Sequence, residues 1–133
     1  MDAPKTPDQP KQRVLLIDDE PAILKMIGRR LEVSGYEVAL AFDGEDGLRK
    51  ARAQRYDLIV LDLMLPRING FDVCRQMKQD PERAGIPIVI YTARGQEIDK
   101  ICETCGADAV VHKSPGNEDL IQRIKDMLGK TPA

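Results

Sequence analysis

No stretch of this chain approaches the roughly 18 consecutive apolar residues of a membrane helix. Its Pro- and Lys-containing start also lacks the apolar run of a secretory signal. A soluble protein of the cytosol is therefore expected. Neither sign of charge dominates, since 20 Lys and Arg stand against 22 Asp and Glu, and no basic block stands out. The electrostatic footprint of a nucleic-acid binder is missing, so neither nucleic acid nor membrane is expected as a direct partner. Three cysteines, an odd number without a signal, argue against a disulfide framework and fit a reducing compartment. EF-hand spacing is absent, and so is an internal repeat. The place of a dinucleotide-binding glycine fingerprint, after the first apolar run, is taken by Asp18-Asp19-Glu20-Pro21.

What is there suits one domain: 133 residues, 42% apolar and 32% charged. Residues 1–12 are polar, with Pro4, Pro7 and Pro10 at every third position, and read as a flexible tail with polyproline II spacing. Residues 13–128 carry the domain and 129–133 a short C-terminal tail. Four nearly continuous apolar runs, at 14–17, 58–61, 88–90 and 109–111, have the length of strands covered on both faces. A fifth run, 37–42, alternates Val38, Leu40 and Phe42 with other residues and suits an edge strand.

Between the runs, Ile23, Ile27 and Leu31 repeat at four-residue steps. Ile98, Ile101, Cys102 and Cys105 follow a helical stripe, as do Ile121, Ile124 and Leu128. Helices are also expected over 44–54 and 70–79. Gly35 and Gly106 stand where helix C-caps belong, and Pro21 where a first turn tolerates it. Five β-α repeats imply right-handed crossovers and a parallel α/β sheet with helices on both faces. The flavodoxin-like strand order 2-1-3-4-5 is expected by analogy.

The chemistry lies just beyond the buried runs: Asp18-Asp19-Glu20 after the first, Asp62 after the third, Thr92 after the fourth and Lys113 after the fifth. In a parallel sheet those ends share one edge, where ligands bind. Three carboxylates brought together there, Asp18, Asp19 and Asp62, repel unless a cation compensates. Mg²⁺ is the natural candidate and Mn²⁺ an alternative, because both take a few carboxylates plus phosphate and water oxygens. A carboxylate can attack phosphorus, so Asp62 is the candidate nucleophile. Lys113 would supply a cation, and the Thr92 hydroxyl and Ala93 amide would donate to phosphoryl oxygens.

Together, Leu16-Ile17-Asp18-Asp19-Glu20, Leu61-Asp62-Leu63-Met64-Leu65-Pro66 with Asn69-Gly70, Tyr91-Thr92-Ala93 and Lys113 resemble a response-regulator receiver domain. The resemblance runs from about Arg13 to Leu128. It implies that Asp62 is the phosphoacceptor, that Asp19, Asp62 and the Met64 carbonyl bind Mg²⁺ directly, and that Asp18 helps through water. It also implies a phosphohistidine donor on a sensor histidine kinase or phosphotransfer protein, and a downstream protein target or output domain. This chain's one histidine, His112, stands beside Lys113, so the donor is another molecule. Such a domain catalyses only its own phosphorylation and dephosphorylation. Output is expected on the face formed by 96–105, 109–112 and 120–128.

Two departures from the family's pattern bear on function. Lys113 is followed by Ser114 and then Pro115, where the family has Lys-Pro with a cis bond, so a trans Lys113–Ser114 bond is expected. Val110 stands where the family commonly has a switch Tyr or Phe, with His112 on the same strand face. Both features keep open an alternative, a pseudo-receiver that binds partners without effective phosphorylation. A phosphatase of the haloacid-dehalogenase type is disfavoured, because its second aspartate would fall at Met64. Cys102-Glu103-Thr104-Cys105 matches C-x-x-C but ends a helix instead of starting one, so helix packing is expected of it.

Overall fold

The structure, a computed structural model, describes residues 11–65, 67–93 and 104–129. The polyproline-spaced stretch of 1–10 and most of the helix expected over 98–105 lie outside the described residues. In chain order the elements are β1 (Arg13–Ile17), α1 (Pro21–Val33), β2 (Glu37–Ala41), α2 (Gly44–Ala53), β3 (Leu58–Leu61), α3 (Gly70–Gln79), β4 (Ile88–Thr92) and β5 (Ala109–His112). A single 3₁₀ turn, Pro115–Asn117, then leads into α4 (Glu118–Leu128). Every pairing is parallel, in the order β2-β1-β3-β4-β5. This is the flavodoxin-like arrangement expected. Among the described residues, no helix is long and apolar enough to cross a membrane.

The period-two alternation of the strands divides the core into two layers. Leu15, Ile17, Ile59, Leu61, Ile88 and Ile90 pack with α2 and α3 residues such as Leu48, Val73 and Met77. Val14, Leu16, Leu58, Val60, Val89 and Tyr91 face the other way, onto Leu24, Ile27 and Leu31 of α1 and Leu120, Ile121 and Ile124 of α4. Strands buried on both faces must be apolar throughout, which is why β3 and most of β4 read as unbroken runs.

Local chemistry sets the element ends. Pro21 opens α1 at its first position. The helix closes with Tyr36 N–H on Leu31 O (3.0 Å) and Gly35 N–H on Glu32 O (3.0 Å), a Schellman motif that needs the left-handed φ of +102° at Gly35. Asp43 caps α2 by accepting from the Asp46 amide (2.8 Å), and Asn69 caps α3 by accepting from the Asp72 amide (2.9 Å). Gly70, at the start of α3, lies so close to the end of β3 that a Cβ there would stand 2.0 Å from the Asp62 carbonyl oxygen.

Some boundaries differ from the sequence reading. β2 stops at Ala41 and leaves Phe42 exposed beyond it, while β4 continues through Thr92. In α1 the fully buried stripe is Leu24, Ile27, Gly28 and Leu31, with Ile23 only half-buried. Cys105 is buried in the α2–α3 layer, where the Cys74 thiol donates to its carbonyl (3.5 Å). That agrees with packing as the role of Cys105; Cys102 lies outside the described residues.

Candidate functional site

Because β1, β3, β4 and β5 run parallel, their C-terminal ends share one edge, and the sheet's own hydrogen bonding continues just past it. The Asp18 amide donates to Ala41 O (3.1 Å), the Asp62 amide to Ile17 O (3.0 Å) and the Lys113 amide to Thr92 O (2.8 Å). Each of these residues is thus held by the last carbonyl of a neighbouring strand, and their side chains converge.

Lys113 is the hub. Its Nζ donates to Asp18 Oδ2 (2.9 Å), Asp62 Oδ2 (3.2 Å) and Glu20 Oε1 (3.2 Å). The second oxygens of both aspartates are also engaged: Asp18 Oδ1 accepts from the Glu20 amide (3.0 Å), and Asp62 Oδ1 from the Met64 amide (3.1 Å). Asp18 and Asp62 are nearly inaccessible, at 3% and 4% exposure, whereas Asp19, Glu20 and Met64 are exposed. Thr92 is wholly buried at the end of β4, opposite His112 in register, and Ala93 follows it at the surface.

Electrostatics follow from that geometry. Burial pushes the Asp18 carboxyl up to about 6; the Lys113 hydrogen bond opposes the rise and the Asp62 charge adds to it. Burial pulls Lys113 down, but its hydrogen bond to Asp18 and the charges of Asp62 and Asp18 outweigh that and hold it above its ordinary value. Asp18, Asp19 and Asp62 each present a carboxylate oxygen within 4.8 Å of the others'. Such a set of hard oxygen donors fits a small divalent cation and would leave positions for other oxygens.

The structure therefore brings Asp18, Asp19, Asp62 and Lys113 together, with Thr92, Ala93 and Met64 on the adjoining strand end and loops. Among the described residues there is no cis peptide bond, so Lys113–Ser114 is trans as expected. Val110 packs on the α2–α3 layer, and His112 is exposed on the same strand face. Sequence reasoning assigned no role to Glu20, although its place two residues after Asp18 could have suggested one. It also gave none to Tyr91, whose hydroxyl donates to Asn117 Oδ1 beneath the site. A cleft of about 320 Å³ lined by Ala51, Arg52 and Arg83 lies away from this chemistry, and Arg83 there already donates to the Ala51 and Arg52 carbonyls.

Comparison with known proteins reaches the same place. Residues 14–125 match the model of the response regulator receiver domain. The chain is 42% identical over 120 residues to the DNA-binding dual master transcriptional regulator RpaA of Synechocystis, covering 90% of this chain and 50% of that protein. It is 38% identical over 121 residues to the alkaline phosphatase synthesis transcriptional regulatory protein PhoP of Bacillus subtilis, again covering 90% and 50%. The chain thus spans about half the length of these curated relatives. Among solved structures, it resembles a CheY-like receiver domain protein from Methanospirillum hungatei with a TM-score of 0.82 at 30% identity, covering 90% of this chain and 94% of that one. It also resembles response regulator TrrA from Thermotoga maritima in complex with Mg²⁺ and BeF, with a TM-score of 0.78 at 30% identity, covering 87% and 98%. A match that runs from β1 into α4, on a sheet of the same strand order, makes this chain a member of the response regulator receiver domain family.

Proposed function

We propose that residues 13–128 act as a phosphoryl-accepting receiver in which Asp62 is the acceptor and Lys113 the fixed countercharge. The observation that carries this reading is the Lys113 ammonium bonded at once to Asp62 and Asp18 on the C-terminal edge of the sheet. An Asp62 oxygen attacks phosphorus, the bond from phosphorus to the donor's leaving atom breaks, and the leaving group departs with that electron pair. Lys113 follows the charge onto the transferred group, while the Thr92 hydroxyl and Ala93 amide donate to its oxygens. Asp19, Asp62 and the Met64 carbonyl would hold Mg²⁺, with Asp18 acting through water. A divalent cation there neutralises charge on the transferring oxygens.

The donor class is a phosphohistidine on a sensor histidine kinase or phosphotransfer protein. The output is a downstream protein or an output domain, in keeping with relatives named as transcriptional regulators that are about twice as long as this chain. Incubation with acetyl phosphate and Mg²⁺ should add one phosphoryl group by intact mass. Asp62→Asn and chelation of the metal should each prevent it. An unmodified protein, under conditions that label another receiver, would favour the pseudo-receiver reading that Ser114 and Val110 keep open.

A further inference from the structure

Lys113 has no proline directly after it and sits on a trans bond, so something else must fix the turn that aims it. Beneath the site, β4 supplies two consecutive holds. Thr92 O accepts the Lys113 amide (2.8 Å), and the Tyr91 hydroxyl reaches the turn that follows. The same hydroxyl donates to Asn117 Oδ1 at the far end of the turn. Tyr91 and Asn117 are both buried, at 2% and 6% exposure, and the Tyr91 ring lies 5.8 Å from Lys113 Nζ. Asn117 itself adopts a left-handed φ of 57°, a conformation that Asn tolerates better than most residues. Arg30 of α1 donates to the Gly116 carbonyl, tying the middle of the turn to a second element.

We propose that Tyr91 and Asn117 are positioning residues that hold the 114–117 turn so that the Lys113 ammonium stays on Asp18 and Asp62. The proposal rests on the phosphoacceptor reading above. Neither residue touches the reacting atoms; both act through Lys113. The phenol reaches the far end of the turn from β4, so removing its oxygen leaves the buried Asn117 carboxamide without its donor. A buried acceptor left unpaired would drive the turn to rearrange. A lysine at the end of a loosened turn loses the fixed aim on which electrostatic stabilisation depends.

Tyr91→Phe keeps the buried ring, and Asn117→Gly keeps the left-handed backbone, so both variants are expected to fold. Each should slow labelling by acetyl phosphate and Mg²⁺ about tenfold. Added to Lys113→Ala, either should change the residual rate by less than about twofold, because its effect passes through the missing ammonium. A general structural role predicts the same slowing with and without Lys113. That result, or unslowed labelling in Tyr91→Phe, would overturn the proposal. The ¹⁵N-detected Lys113 ammonium supplies a readout that needs no phosphorylation: its hydrogen-bonded signal should be retained in the wild type and lost to solvent exchange in Tyr91→Phe. An unlabelled wild type whose ammonium still responds in this way would sink the phosphoacceptor reading while upholding the clamp. An ammonium signal unchanged by Tyr91→Phe would sink the clamp.

Discussion

Lowering the pH from about 8 to about 5 should weaken Mg²⁺ binding about tenfold through Asp18, whose carboxyl is pushed up to about 6 by burial. Its folded value lies above the ordinary 3.8 of an aspartate. In metal-free solution this group's contribution to stability is therefore fully present below the unfolded value and is lost as pH rises through about 6. A cation reverses the preference, because it binds the ionised form. At about pH 5 roughly one Asp18 in eleven is ionised, so the apparent affinity falls by about that factor, or about 1.4 kcal/mol. Lys113, held above its ordinary value, stays charged across the range and contributes no slope of its own. Calorimetric Mg²⁺ titrations at several pH values would measure the effect, with circular dichroism to verify the fold. Asp18→Asn should bind more weakly and lose this slope. An affinity constant to within about twofold between pH 5 and 8, in a folded protein, would refute the reasoning.

Gly70→Ala should destabilise the domain by about 2 kcal/mol or more, because its Cβ would stand 2.0 Å from the Asp62 carbonyl oxygen, a backbone atom that cannot swing aside. Gly85→Ala, with nothing within 4 Å, is the matched control, and equal denaturation midpoints for the two variants would contradict this. Lys113→Ala should abolish efficient labelling yet tighten Mg²⁺ binding several-fold, since its Nζ sits on the Asp18 and Asp62 oxygens that a cation would use. Loss of metal binding in that variant, still folded, would contradict the competition.

Much of the fold was legible because its strands are buried on both faces. The apolar run at 58–61 is β3, and the helix expected over 70–79 is α3. The strand-end argument found Asp18, Asp62 and Lys113 because topology alone brings them to one edge. Errors arose where a side chain's chemistry disagreed with its backbone. The apolar run at 88–90 stops before Tyr91 and Thr92, yet β4 includes both and the Thr92 carbonyl carries the ladder to Lys113. Gly28 went uncounted in the α1 stripe because it has no side chain, yet it is buried beside Val38, Leu40 and Leu16. The pairing of Tyr91 with Asn117 was illegible for another reason. It spans 26 residues and depends on a left-handed turn that no periodicity announces.

The amides of Asp18, Asp62 and Lys113, each hung on a neighbouring strand's last carbonyl, make these three residues an outermost rung of the sheet. Their exchange with solvent hydrogen is then expected to require opening of the sheet's edge, which costs more than fraying of a loop. If Asp62 is the phosphoacceptor proposed above, it would react from a backbone held in the sheet's own hydrogen bonding. Any switching would then fall to loops beyond the strand ends, where local opening can cost little without loosening this rung.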